Sequence, residues 1–372
     1  MEILWISART MGVDLADSTE NGLIDSINDA GHNVTLISPG KKENLGNYHL
    51  SVKSIQIPGL ITISGSFDVK RKLREIMKKR EFDLIIIDWR YVSFMEKMLK
   101  KINIPWFIMD RGPPTKRNWR LGLQKRMWKR SWKVAKKHAV NGIVVSLKHN
   151  DFIKNYAKVD MPNIVVKSGS SQLKGASKKT PRGTTLDIVY IGQIDKERDI
   201  QSILSLKAEL EENNIINKIK IIGEGDYYSI MKLLIKPMNG VSLFRKKGKD
   251  EVEKILNKSH VGVLPMPKTP IWEIASPIKL VEYSRFGLIT VGPRHSGNKW
   301  EDCESDERCW EFLSDNEKWW VEAVEKIQKA IAGGEWEKYS KSAINDSGER
   351  TWRKVSKKMI REIEINLNYG KP

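Results

Sequence analysis

The chain has 372 residues, 40% of them hydrophobic with Trp 13, and its Lys and Arg exceed Asp and Glu by a formal +19. That much apolar material excludes a disordered chain, and the length suits two domains of ordinary size. No apolar run approaches the ~20 residues of a membrane-spanning helix, while the charge favours an anionic partner: nucleic acid, a membrane surface or a phosphorylated substrate.

The first residues, MEILWISARTMG, lack a basic leader and run straight into a strand pattern, so no signal peptide is expected. EILWIS (2–7) reads as a strand and 18–30 as a helix, with Asp17 and Glu20 spaced as a capping box and Gly31 as its stop. NVTLIS (33–38) is the next strand, followed by a polar loop, a strand near 54–57 and a charged helix over 68–80. FDLIIID (82–88) is apolar enough for a central parallel strand buried on both faces. A helix over 91–102, a strand at PWFIMD (105–110), a long basic helix, GIVVS (142–146), a helix near 150–157 and NIVVKSG (163–169) complete the first half.

The stretch SGSSQLKGASKKTPRGTT (168–185) has linker composition. Alternation then restarts: LDIVYIG (186–192), a helix over 199–213, IKIIGEG (219–225), a helix over 226–236, VSLFR (241–245), a helix over 249–259, HVGVLP (260–265), a helix from 276 and LITVGP (288–293). Three helical stretches follow, the last being RTWRKVSKKMIREIEINL (350–367). The order predicts two doubly wound α/β domains with a cleft between them: 1–170, a linker at 171–185, 186–349, and a final segment at 350–372.

One helix asks for explanation: ASPIKLVEYSRFGLITV (275–291). Ser276 reads as N-cap and Pro277 as the first helical residue, where its missing N–H is no loss. A helix start offers N–H groups to an anion, and Lys279 adds charge. Glu282 shares a face with Lys279 and lies ~7.5 Å along the axis from Pro277, about the separation of a diphosphate from the ribose of the same nucleotide. An ordinary capped helix with a surface Lys–Glu pair fits the same spacing, which leaves both readings open and by itself leans to the ordinary one. Gly192 in YIGQIDKERDI and Gly223 in IIGEGD end strands where backbone turns sharply or approaches a ligand closely.

In this order, the motifs resemble the retaining GT-B glycosyltransferases of family 4. GQIDKERD (192–199) stands where that family has G-R-L-D-x-x-K-G, IGEGD (222–226) where it has V-G-D-G-P, and EYSRFGLITV (282–291) where it has E-A-M-A-x-G-x-P-V-V. AGHNVTLIS (30–38), VVSLKHNDFIKNY (144–156) and the terminal tryptophan helix also fit. The first glutamate of the family pair falls at Ile274, with Glu273 one residue out of register; the phosphate-loop arginine falls at Gln193 and its lysine at Arg198.

The resemblance implies a GT-B fold of two Rossmann-like domains facing a central cleft. The C-terminal domain would bind the nucleoside-diphosphate sugar, and the last helix would cross back to the N-terminal, acceptor-binding domain. Diphosphate contacts fall to Arg198, Lys279 and the N–H groups around Ser276, Pro277 and Ile278; ribose falls to Glu282; Gly12, Gly192, Gln193 and Gly223 line the nucleotide sugar. Asp110 would orient the acceptor hydroxyl or act as base, and Arg111 would meet an anion. Neither an Asp-x-Asp at a strand end nor a histidine cluster is evident, so no metal and no cofactor are expected.

Between Asp110 and Asp151 there are twelve Lys and Arg and no acid. WRLGLQKRMWKRSWKVAKKHAV (119–140) places Leu121, Trp128, Trp132, Ala135 and Ala139 near one face, the pattern of a membrane-surface helix or of one packed on its own domain with a cationic face outward. The expectation is therefore a hexosyltransferase-like enzyme with a lipid-linked or anionic glycan acceptor. It would be cytoplasmic and peripheral on the inner face of the membrane, reaching anionic lipid through 116–137. Two other readings stand beside it: a GT-B epimerase of the nucleotide sugar, and a basic nucleic-acid-binding protein, the latter disfavoured because no nucleic-acid module appears. Cys303 and Cys309 read as bystanders in a reducing compartment.

Overall fold

The computed structural model describes residues 1–10, 17–40, 49–55, 60–114, 121–171, 176–181, 183–300 and 308–369. The chain divides into two compact units: Met1–Gly169 with the segment from Trp352, and Ser170–Thr351.

In the first unit β1 (Glu2–Ile6), β2 (Asn33–Ser38), β3 (His49–Ser51), β4 (Leu84–Asp88), β5 (Trp106–Met109), β6 (Asn141–Val144) and β7 (Asn163–Val165) form a sheet in the order β3-β2-β1-β4-β5-β6-β7. All its pairings are parallel. β4, with sequence LIIID, is buried along its whole length, as a strand covered on both faces must be. Helices α1 (Asp17–Asp29), α2 (Ile61–Met77), α3 (Trp89–Leu99), α4 (Leu121–His138) and α5 (Leu147–Phe152) connect the strands. The chain returns at its end as α13 (Trp352–Tyr369), which packs on α1 and buries Met359, Ile360 and Ile363 with Leu23, Ile27 and Val34. Gly22 lets the Trp352 indole lie on α1, since a Cβ there would meet it at 2.4 Å.

The second unit repeats the plan. β8 (Leu186–Ile191), β9 (Asn217–Ile222), β10 (Val241–Phe244), β11 (Val261–Val263), β12 (Ile289–Pro293) and β13 (Glu311–Ser314) run parallel in the order β10-β9-β8-β11-β12-β13. Its helices are α6 (Ser202–Glu212), α7 (Tyr228–Leu234), α8 (Lys249–Lys258), α9 (Pro270–Glu273), α10 (Ile278–Arg285), α11 (Trp319–Gly333) and α12 (Trp336–Ser347). In both sheets the winding reverses beside the first strand, between β1 and β4 and between β8 and β11; open α/β sheets bind ligands at the carboxyl ends of such points.

Several expected boundaries shift. A strand lies at His49–Ser51, ahead of the one expected at 54–57, of which 56 and 57 lie outside the described residues, and the charged helix begins at Ile61 rather than 68. Glu20, expected in a capping box, is buried and paired with Arg9 at 3.2 Å, while the side chain of its expected partner Asp17 lies outside the description. The helix expected from Asp199 starts at Ser202, because a short 3-10 turn over Lys196–Arg198 ends with Asp199 left-handed at φ 52°. Within the expected linker, Lys178 packs on the second unit: its Nζ donates to Asn257 O at 2.5 Å and Leu256 O at 3.3 Å, satisfying the end of α8.

Candidate functional site

In the second unit the turns after β8 and β9 fit directly against each other. A Cβ on Gly223 would lie 1.7 Å from the Gly192 carbonyl, and one on Gly225 would lie 2.2 Å from that of Ile194. The Gly192 N–H donates to Ile222 O at 3.0 Å, and the Ile194 N–H to Glu224 O at 2.9 Å. These glycines are required by the fold itself, which holds the two loops as one ledge at the end of the sheet. The carbonyl of Gln193 accepts the Tyr190 hydroxyl at 2.6 Å. Burial pushes that phenol up to about 12, while Arg198, hydrogen-bonded to it, pulls the other way.

Arg198 is the cation of this ledge. Its guanidinium stands over the Trp272 ring at 4.8 Å, and Trp272 Nε1 donates to Glu197 O at 3.0 Å, so α9 clamps the turn that carries Arg198. Nε of Arg198 is buried without a hydrogen-bond partner among the described residues. α10 is tied to the same ledge, because the Ile191 N–H donates to the Tyr283 hydroxyl at 3.0 Å. Gly262 makes room for that ring: a Cβ there would meet it at 2.3 Å.

The start of α10 lies one residue later than its sequence suggests. Pro277, with ψ 124°, is extended and serves as the N-cap, so Ser276 stands outside the helix and no side chain caps it. Ile278 and Lys279 open the first turn, where N–H groups have no intrahelical acceptor. Lys279 Nζ and Glu282 are ion-paired, each side chain 23% exposed. The bland expectation for this pair, a contact between partners on one helix face, is met, and the partial burial keeps both ends reachable. Glu273 and Ile274 lie at the end of α9; Ile274 is buried, and the Glu273 carbonyl accepts from Ser296 Oγ at 2.7 Å.

The loop after β12 holds α9 from the other side, a role that sequence reasoning missed. A Cβ at Gly297 would lie 1.8 Å from Trp272 O. His295 Nε2 bonds Met266 O at 2.9 Å and its Nδ1 accepts from the Gly297 N–H at 3.2 Å. Burial lowers His295 to about 4, so the neutral ring that serves both bonds persists at ordinary pH. The dipeptide Ser296-Gly297 just past a strand was the available signal.

In the first unit Asp110 follows β5 but is fully buried. Its Oδ2 accepts from Trp128 Nε1 at 2.6 Å and Trp132 Nε1 at 2.9 Å, with His149 Nε2 at 3.4 Å, and its Oδ1 accepts from the Gly112 N–H at 2.9 Å. Burial alone would raise this carboxyl; His149 and the two indoles hold it down at about 2. It locks α4 onto the sheet and has no surface to offer a substrate, contrary to the base or orienting role expected for it. The tryptophans of α4 therefore face the core, while Lys125, Arg126, Lys129, Lys133, Lys136 and Lys137 are exposed. Arg111 donates to Val166 O at 2.7 Å and to Ser168 Oγ at 3.3 Å. Gly12, residues 116–120 of the expected membrane segment and Cys303 lie outside the described residues; Cys309 is free and exposed. Among the described residues no group of three or more His, Cys, Asp or Glu is placed to hold a metal, and no helix is long and apolar enough to cross a membrane.

No family model and no curated protein matches the sequence. Solved structures do resemble it along its whole length. Sucrose-phosphate synthase from Thermosynechococcus elongatus is 12% identical with a TM-score of 0.76, covering 99% of this chain and 100% of its own. HepE from Anabaena, solved with UDP and glucose, is 13% identical with a TM-score of 0.72, covering 98% and 99%. The pneumococcal O-GlcNAc transferase GtfA, solved with UDP and GlcNAc, is 9% identical with a TM-score of 0.71, covering 99% of both chains. With both sheets wound alike and matched over nearly the full length of these glycosyltransferases, the chain has the GT-B fold, two Rossmann-like units of parallel sheet with flanking helices.

Proposed function

We propose that the chain is a glycosyltransferase that takes its sugar from a nucleoside-diphosphate sugar held by the second unit. The observation that carries this is the convergence, at the switch point of the second sheet, of a cation with an unpartnered buried N–H and a helix start bearing a Lys–Glu pair. Arg198 is braced by Trp272 and Tyr190, and Tyr283 ties α10 to the end of β8. HepE and GtfA, solved with UDP, support a nucleotide donor.

In this reading the donor divides the Lys279–Glu282 pair. Lys279, Arg198 and the N–H groups of Ile278 and Lys279 take the diphosphate, and Glu282 turns to the two ribose hydroxyls. As the bond from the anomeric carbon to the diphosphate oxygen breaks, negative charge grows on that oxygen, and these fixed cations and dipoles stabilise it without reorganising and without calling on a metal. Asp110 is held by the α4 indoles and His149, so in this reading the proton of the incoming acceptor hydroxyl passes to the departing diphosphate oxygen on the same face of the sugar, which gives retention. The acceptor, a lipid-linked or anionic glycan, belongs to the first unit, whose α4 offers its lysines to anionic lipid.

Thermal shift with UDP-, GDP- and ADP-sugars on wild type and Glu282→Ala tests the donor site. At least one donor should stabilise wild type and lose most of that effect in the variant. If no donor shifts wild type, the proposal is wrong.

A further inference from the structure

The lysines of α4 are one edge of a wider surface. α1 and α13 cover the face of the first sheet that carries Ile3, Trp5 and Ile143. α2, α3 and α4 lie side by side on the other face. Gly142, next to Ile143 on β6 and so turned the opposite way, meets the Trp132 ring of α4, from which a Cβ would stand 2.6 Å. An ion pair between Arg130 and Glu96 at 2.8 Å joins α4 to α3. These helices and the residues directly after them (61–80, 89–101 and 121–138) hold eighteen Lys and Arg against three Asp and Glu. Residues 170–351, which make up the second unit, hold twenty-nine against twenty-eight. The excess charge of the chain is therefore a property of this one face.

Each helix leaves the carboxyl end of the strand before it, and at that edge the outward residues change character. The solvent side of α2 reads Phe67, Arg71, Arg74 and then Lys78, with Leu60 just ahead of the helix. Phe67 is 66% exposed and Leu60 42%. The chain entering α2 runs along the same turns, since the Ile55 N–H donates to Ser64 Oγ at 2.9 Å and the Lys53 N–H to Asp68 Oδ2 at 2.8 Å. Ile55, 53% exposed, thus stands at this edge too, and so does Leu123 in the first turn of α4, 56% exposed. Lys70 Nζ lies 5.3 Å over the Phe67 ring, so cation and apolar group meet at the border.

Scattered exposed apolar residues are ordinary, but large ones gathered along the edge of a cationic field mark a contact surface. We propose that α2, α3 and α4 dock as one face on an anionic phospholipid bilayer. Ile55, Leu60, Phe67 and Leu123 enter the boundary between headgroups and acyl chains, and the basic residues stay among the headgroups. A nucleic acid would use the cations and could stack on Phe67, but it offers nothing to three exposed aliphatic side chains. The inserted residues orient and deepen a hold that the cations supply, so attachment stays sensitive to salt. The docking face owes nothing to donor chemistry; that it brings a lipid-borne acceptor to the carboxyl end of the first sheet rests on the glycosyltransferase reading.

The test uses the full chain with Cys303→Ser and Cys309→Ser, labelled with nitrobenzoxadiazole at Phe67→Cys, at Leu123→Cys or, as a control, at Leu233→Cys, a site 72% exposed on the second unit. With mixed phosphatidylserine and phosphatidylcholine vesicles at low salt, the labels at 67 and 123 should brighten and be quenched by lipid-borne doxyl groups, while the label at 233 stays as in buffer. Circular dichroism checks folding, and should the variant at 67 fail to fold, the label at 123 decides. Without labels, Leu60→Ser/Phe67→Ser should weaken partition onto the same vesicles about fivefold. Vesicle binding with labels at 67 and 123 no brighter than at 233 overturns the inserted edge. Capture by RNA without vesicle binding overturns the lipid as occupant. Nucleotide-sugar thermal shifts separate the two proposals: lipid entry without any donor shift keeps the docking face and removes the acceptor role, whereas a donor shift without lipid entry removes the docking face and leaves the donor site standing.

Discussion

At the residue scale the informative side chains are those whose partners decide their protonation. Asp110 is held ionised by donors that exist only in the folded first unit, so its folded pKa, at about 2, lies below the ordinary carboxylate value. The sign follows directly: the stability it lends is full above the ordinary value near 4 and fades as the pH falls towards 2. Trp132→Phe removes one indole donor, which should cost about 1–3 kcal/mol and bring acid unfolding to higher pH, both readable in urea melts across pH 2–7. In the second unit, Lys279→Ala should weaken nucleotide-sugar binding about tenfold while leaving the melting temperature of the ligand-free protein within a few degrees, since its pair with Glu282 is partly exposed and contributes little. Calorimetric titration of the donor found above measures it.

Among the elements, the paired glycine turns set how much the ledge tolerates. Gly223→Ala forces a methyl into the Gly192 carbonyl, and the expected result is a loss of several kcal/mol together with donor binding, checked by thermal melting and titration. Much of this level was legible in the sequence. Strand cores such as LIII (84–87) and IVYI (188–191) announce themselves by their apolar runs, and Gly192 and Gly223 could be read as turns. The left-handed Asp199 and the short α9 were not legible, because each depends on contacts made from elsewhere in the chain: the turn of Arg198 leans on Trp272, and α9 on the loop after β12. The same reason explains Asp110. Its position at a strand end suggested chemistry, but two indoles one helical turn apart on α4 claim it, and local spacing could not announce that they meet a carboxylate eighteen and twenty-two residues upstream.

For the whole molecule, charge and connectivity govern behaviour. The exposed lysines of α4 carry no tryptophan outward, so attraction to anionic vesicles should be electrostatic, about 1 kcal/mol per basic residue near the surface. Flotation with phosphatidylserine vesicles should recover the protein at low salt, release it near 0.5 M as screening shortens to ~4 Å, and fail for Lys129→Glu/Lys133→Glu. Salt-sensitive capture by RNA with no vesicle binding would instead favour a nucleic-acid partner. Connectivity was only partly readable: the final amphipathic helix signalled an apolar face, but nothing in its own pattern names α1 as the surface it covers. That return has a consequence for synthesis. The second unit is a continuous stretch and can fold as it leaves the ribosome, whereas the first, although translated earlier, must wait with Leu23, Ile27 and Val34 uncovered until residues beyond 351 arrive. Nascent chains stalled before Trp352 should thus present the amino-terminal half as the protease-sensitive and chaperone-bound part, reversing the usual order in which a protein matures from its beginning.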